Sequence, residues 1–241
     1  MKNKFGFILV KTQLGENIGA CARSMKNFGF SKLHIVSPKI NFPNHKTKAT
    51  SVGAYDIINK AKVFDNVEKA IEPFNLVIAL SARRRDINKK HISLQNFQNI
   101  IKKRQNLNIG LMFGPEASGL SNQDLSFSNF IMQIPTSSKF KSLNLSHSLT
   151  VICYEIFKLM NENKTKNNNL NLKISSKAKI TNIVRHLIFL LEKKDFFTPK
   201  EKKHSMLLNI KNLIYKLQPN DKELRILASI ISSLSKNNNK P

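Results

Sequence analysis

At 241 residues and 41 % hydrophobic content the chain can build one large or two modest domains around a real core. Lysine and arginine number 40 against 15 acidic residues, a net charge of +25, so a polyanionic partner is expected, nucleic acid being the commonest. Two cysteines, Cys21 and Cys153, exclude a disulfide framework and suit a reduced cytoplasm; no apolar run approaches membrane-spanning length, and six scattered histidines without a Cys-x-x-Cys argue against a metal.

Apolar runs at 5–10, 33–36, 62–64, 75–80, 109–113 and 130–134 read as strands. Most are continuous rather than alternating, as in strands buried on both faces of a parallel sheet. Helical patterns lie between them. In the first, Ile18, Ala22 and Met25 share one face and Arg23 points elsewhere. Residues 144–160 predict a helix with Leu149, Ile152, Cys153 and Ile156 inward. The Asn, Lys and Ser-rich stretch 161–178 reads as a linker. Beyond it, 179–241 predicts three amphipathic helices. Ile180, Ile183, Val184, Leu187 and Leu191 form the first stripe. Thr198-Pro199-Lys200-Glu201 reads as a capping box opening the second helix, with Met206, Ile210, Leu213, Ile214 and Leu217 inward. Asn220-Asp221-Lys222-Glu223 opens the third, with Leu224, Leu227, Ile231 and Leu234 inside. The charge is not confined to this tail: residues 162–241 carry +11 and residues 1–161 carry +14.

The common nucleotide-binding readings fail. The loop after the first strand, Lys11 to Gly19, has glycines four apart and no G-x-G-x-x-G; the second strand ends Val36-Ser37-Pro38 with no acid for a ribose; a P-loop is absent. Glycine and serine loops gather instead after the later strands, at Ser81-Ala82, Gly114 to Gly119 and Pro135 to Leu143. Such loops let a backbone approach a ligand closely. Each alone is weak, since a glycine turn after a strand is more often only a turn.

Two stretches in combination are more specific. One is Asn17-Ile18-Gly19-Ala20-Cys21-Ala22-Arg23. The other is Phe113-Gly114-Pro115-Glu116-Ala117-Ser118-Gly119-Leu120, followed by Ile134-Pro135 and Ser142-Leu143-Asn144-Leu145-Ser146. In this order they resemble the three motifs of the SpoU branch of the SPOUT RNA methyltransferases. The resemblance covers about the first 160 residues. It implies an α/β SPOUT fold, a parallel sheet with a deep C-terminal trefoil knot, here followed by a small C-terminal helical bundle. It further implies S-adenosyl-L-methionine as cofactor, no metal, a homodimer in which an arginine of one subunit completes the other's site, and a cytoplasmic enzyme. Carried over residue by residue, the cofactor pocket would use Leu80, Ser81, Ala82, Gly114, Ile134, Lys141, Ser142, Leu143 and Asn144. Catalytic roles fall on Arg23, Asn17, Glu116, Ser142 and Asn144. Pro115 stands where close relatives often carry arginine.

The C-terminal helices look like the tail of the tRNA-specific members of this branch, which methylate the ribose 2′-hydroxyl of cytidine or uridine at conventional position 32 of the anticodon loop. The domains expected are therefore a methyltransferase domain at 1–160 and a helical tRNA-binding domain at 179–241. A ribosomal RNA 2′-O-methyltransferase of the same branch is the nearer rival, and a non-catalytic RNA-binding protein the remoter one. Arg23, as a guanidinium with donors and no acceptor, suits a cationic clamp on a phosphate or developing alkoxide better than a base. Glu116 would orient Asn17 or Arg23. Lys11, Arg83, Arg84, Arg85, Lys139 and Lys141 join Arg23 as phosphate contacts on the rim.

Overall fold

A computed structural model describes residues 4–83, 87–104, 106–162 and 174–235. Seven strands form one parallel sheet: β1 (Phe5–Val10), β2 (Leu33–Val36), β3 (Lys62–Phe64), β4 (Leu76–Leu80), β5 (Lys90–Ile92), β6 (Ile109–Phe113) and β7 (Phe130–Met132), in spatial order β3-β2-β1-β6-β4-β7-β5. The apolar runs are continuous because both faces are covered. On one face, Phe7, Leu9, Ile35, Ile78, Leu111 and Met132 pack with Ile18, Cys21 and Met25 of α1 (Gly15–Asn27), Phe97 and Ile101 of α5 (Leu94–Lys103), and Leu149, Ile152 and Ile156 of α7 (Leu145–Glu162). The alternate strand residues Ile8, Val10, Val77, Ala79, Met112 and Ile131 face the other way. They meet Ala70 and Ile71 of α4 (Val67–Ile71), Leu125 of α6 (Asn122–Ser126), and the C-terminal helices.

Those helices are α8 (Lys177–Lys193), α9 (Lys203–Leu217) and α10 (Asp221–Ser235). Ile180 and Val184 of α8, Ile214 and Tyr215 of α9 and Leu224 of α10 belong to the second core, so the tail covers a sheet face. Backbone bonds fix it at the amino edge of the strands: Lys177 N–H donates to the Phe74 carbonyl and Ser175 N–H to that of Pro219. Arg185 pairs with Glu68 of α4 at 3.2 Å. The predicted linker lies mostly outside the described residues, and α8 begins within its last two positions.

Four readings of the sequence need correcting. Strand β5 was not predicted, since Lys90-His91-Ile92 offers one apolar residue. No capping box forms at Thr198: Pro199 flanks a 3₁₀ turn over Lys200–Lys202 without a side-chain cap, and α9 follows. The stripe on α9 is rotated. Leu213 and Leu217 are 60 % and 58 % exposed, while Asn212, Ile214 and Tyr215 are buried. Polar bonds set that rotation. Asn129 takes the Val77 amide hydrogen on its Oδ1 and gives its own amide to the Tyr215 carbonyl, and the Tyr215 hydroxyl bonds Thr181. Leu234, expected inside, is exposed, whereas Asn220 caps α10 reciprocally with Glu223.

Glycines on α1 serve packing. A Cβ at Gly19 would lie 2.1 Å from Thr50 Oγ1 and 2.5 Å from the Thr47 carbonyl, so α2 (His45–Thr50) rides directly on the α1 backbone.

Candidate active site

A groove opens at the carboxyl ends of β4, β6 and β7. Leu80, Ser81, Ala82 and Arg83 come from the end of β4, Gly114 to Ala117 from the loop after β6, Ile134 from beyond β7, and Lys141, Ser142 and Leu143 from the approach to α7. Its volume is about 120 Å³, and Lys141 to Leu143 are exposed at its mouth. At Gly114 the chain folds tightly on itself: a Cβ would sit 2.3 Å from the Leu120 amide nitrogen, so no side chain can stand there. Gly119 closes the same turn at φ +66, a backbone region that disfavours other residues.

A hydrogen-bonded relay runs behind the groove. Glu116 accepts from the Gln13 amide at 3.0 Å through Oε2 and from Asn17 Nδ2 at 2.7 Å through Oε1. Asn17 Oδ1 in turn accepts from Asn144 Nδ2 at 3.1 Å. Asn144 Oδ1 accepts from the backbone N–H and the hydroxyl of Ser146, both at 2.8 Å, and so caps α7. The two side-chain amides of the relay, Asn17 and Asn144, each have one orientation that satisfies them. The relay binds the start of α1, the loop after β6 and the start of α7 into one unit. Close by, Ser24 and Thr150 join their hydroxyls at 2.6 Å across α1 and α7.

The sequence-predicted residues divide into groups. Leu80, Ser81, Ala82, Gly114, Glu116, Ile134, Lys141, Ser142 and Leu143 line one groove. Asn144 and Asn17 stand behind it in the relay. Arg83 reaches the groove, and its Nη2 donates to the Ala117 carbonyl at 3.1 Å. Arg84 and Arg85 lie outside the described residues. Arg23 is exposed on α1, does not line the groove, and has no hydrogen bond or ion pair to another described residue. Lys139 is exposed on the loop before Lys141. Lys11 turns away: its ammonium lies 3.6 Å from Asp124, and it lines a separate cleft with Lys211 of α9. Reading the sequence missed Pro115, Ala117 and Ser148 as lining residues, and missed Gln13 in the relay.

Cys21 and Cys153 are buried, and burial pushes both thiols up, away from reactivity. Among the described residues no acid, histidine and cysteine cluster could hold a metal, and no helix is long and apolar enough to cross a membrane.

A parallel sheet whose glycine-bearing loops converge on β4, β6 and β7, backed by an amide and carboxylate relay, defines a methylase of the SpoU kind. The chain belongs to the SpoU rRNA Methylase family, whose profile matches residues 4–154, and is accordingly a methyltransferase. Relatives match beyond that segment. The tRNA (cytidine-2′-O-)-methyltransferase TrmJ of Methanocaldococcus jannaschii is 32 % identical over 226 residues, covering 92 % of this chain and 96 % of its own. The tRNA (cytidine/uridine-2′-O-)-methyltransferase TrmJ of Photorhabdus laumondii is 28 % identical over 239 residues, 98 % of each. The crystal structure of TrmJ from Z. mobilis ZM4 is similar with a TM-score of 0.86 and 30 % identity, covering 96 % of this chain and 99 % of that one.

Proposed function

We propose that this chain transfers a methyl group from S-adenosyl-L-methionine to the ribose 2′-hydroxyl of cytidine or uridine in tRNA, at position 32 of the anticodon loop. The observation that carries the reading is the single groove into which Leu80 to Ala82, Gly114, Ile134 and Lys141 to Leu143 converge. Its lining suits the cofactor. Leu80, Ile134 and Leu143 offer an apolar slot, and the bare main chain at Gly114 offers peptide edges for an adenine. Bound there, the cofactor supplies a methyl group that is already activated. What remains for the protein is to align the hydroxyl and stabilise the charge that develops on it. Ser142, at the mouth, and Asn144, held by Asn17 and Glu116, are the groups that position the ribose.

Arg23 is the cation of the reaction. It stands clear of the groove within one chain, which supports a homodimer in which Arg23 of a second copy reaches the ribose or its phosphate. The segment from β6 to α7 would then thread as a trefoil knot, and the protein would work in the cytoplasm with its substrate. The relatives similar along their whole length, C-terminal helices included, favour tRNA over ribosomal RNA.

The test is to map 2′-O-methyl groups on tRNA and ribosomal RNA treated with the purified protein and cofactor. Methylation of tRNA at position 32 is expected; methylation confined to ribosomal RNA would refute the substrate. Arg23→Ala should keep cofactor binding and lose roughly 10²–10³-fold in rate. Mixing it with a Ser142→Ala variant should restore part of the activity if sites are shared between copies.

A further inference from the structure

A second cleft, of about 650 Å³, lies against the first groove. The partition between them is one strand of chain thick. From the last residue of β7 onward the side chains alternate, as in any extended segment: Met132 and Ile134 line the groove, and Gln133 and Pro135 line the second cleft. Ser81 and Arg83 line both. A polymer whose reacting unit sits at the mouth of the groove can therefore reach this cleft with a neighbouring unit.

The cleft is furnished for one unit of a particular chemistry. Its floor is apolar, made by Ile92 at the end of β5, Leu94 at the start of α5, and Pro135. Around that floor stand the Gln133 amide and the His91 imidazole. Both are exposed, and neither has a hydrogen-bond partner among the described residues. Arg83 spends one nitrogen on the Ala117 carbonyl and keeps its remaining donors. Among the described residues no carboxylate lines the cleft. A flat apolar surface, an amide that can pair along an edge, and a guanidinium without a competing acid match a nucleobase and its phosphate. The volume falls within the range of sites for small ligands, roughly 300–1,000 Å³.

We propose that this cleft is a nucleotide subsite. It takes the RNA nucleotide next to the one methylated, with the base on Ile92 and Leu94, its edge on Gln133 and His91, and its phosphate on Arg83. Single-stranded loops are the RNA elements whose bases are free to be read in this way. The proposal rests on the RNA methyltransferase reading and adds a specificity site to it.

The test is a cycle between protein and RNA. The full chain and its His91→Ala/Gln133→Ala double variant are each given an anticodon stem-loop RNA, either intact or abasic at the position just 5′ or just 3′ of the methylated nucleotide. Binding by fluorescence anisotropy and methylation kinetics are both read. On intact RNA the double variant should raise KM roughly five- to a hundredfold, with kcat and cofactor affinity little changed. On RNA abasic at the recognised position the two proteins should be alike. Equal behaviour on intact RNA, or an abasic penalty undiminished in the variant at both positions, would overturn the subsite. Should the double variant fail to fold, Gln133→Glu sets a negative charge in the cleft and must weaken RNA binding; unchanged binding overturns the proposal. Should the unaltered chain methylate no RNA, the parent reading falls, and the binding cycle alone decides the cleft.

Discussion

Stability should rise as the solution becomes alkaline, because two lysines are sealed beneath the C-terminal helices. Lys177 is fully buried and its Nζ has no hydrogen-bond partner; the Tyr215 ring lies 4.5 Å away. Lys89 donates to the carbonyls of Ser126 and Ser128 at 2.8 and 2.7 Å. Burial, with Lys216 nearby, lowers Lys89 to about 7, and burial with Lys89 pushes Lys177 well below the ordinary lysine range. Tyr215 is pushed up by burial and stays neutral. Both lysines thus hold a proton less readily folded than unfolded. Between the two values the unfolded chain carries more protons, so folding strengthens with pH; for Lys89 that window runs from about 7 to 10.5. One lysine can supply at most about 1.4 kcal/mol per pH unit, or about 3 kcal/mol between pH 7 and 9. The two carbonyl bonds favour the ammonium of Lys89 and hold it under that ceiling, so Lys177 carries the larger share. Urea denaturation at pH 7, 8 and 9 reads the slope. Lys177→Met keeps the volume, removes the titration and loses no hydrogen bond, so it should stabilise the protein at pH 7 and flatten the profile. A level or falling profile in the unaltered chain, or a Lys177→Met variant less stable at pH 7, would refute the reasoning.

Gly19→Ala drives a methyl into Thr50 and the Thr47 carbonyl and should cost about 1–3 kcal/mol in thermal or chemical unfolding; unchanged stability would mean α2 shifts freely. Glu116→Ala strands the amides of Gln13 and Asn17, and should slow methyl transfer at least roughly tenfold, about 1.4 kcal/mol of barrier, while circular dichroism stays native. Leu143→Asp places a carboxylate in the mouth of the groove and should weaken cofactor binding by calorimetry; unaltered affinity would remove Leu143 from the site. Truncation after Met160 uncovers Val77, Ala79 and Met112 and removes Ile180, Val184, Ile214, Tyr215 and Leu224. Each lost side chain is worth roughly 1.5–3 kcal/mol of burial, so the fragment should precipitate or bind apolar dyes. A soluble fragment with native melting would show that the tail is dispensable to the fold.

Five of the seven strands were legible because a strand buried on both faces needs apolar residues at consecutive positions; the edge strand β3 is exposed at Lys62 and Val63 and was legible only from Val63-Phe64. Lys90-His91-Ile92 escaped because it is an edge strand pairing with β7 alone, with Lys90 and His91 in solvent. The face of α9 was misread for another reason. Counting apolar residues favours Leu213 and Leu217, but the orientation is set by Asn129 and Thr181, 86 and 34 residues from Tyr215. The groove could be found because glycine and serine loops follow strands in order. The relay was only partly legible, since Glu116 and Asn144 stand 99 and 127 residues from Asn17. That Lys11 serves Asp124 rather than the rim follows from the placement of α6, about which the charge of a single lysine says nothing.

Helix α9 ends at the amino edge of the sheet, beside Arg104, yet at Lys211 it already passes the carboxyl edge next to Lys11. Its first two turns therefore stand beyond the sheet. Lys203 lies about 12 Å further along the axis, at 1.5 Å per residue, and Lys193, Lys194, Lys200 and Lys202 gather around the same turn. The molecule is in this respect a gauge. The groove is fixed at the strand ends, and these lysines are carried at a set height beyond the same edge on a rod rooted in the core. Adding one helical turn to α8 and α9 together would lift those lysines by about 5 Å without altering any residue of the groove, so the length of a helix sets how far positive charge stands from the strand ends.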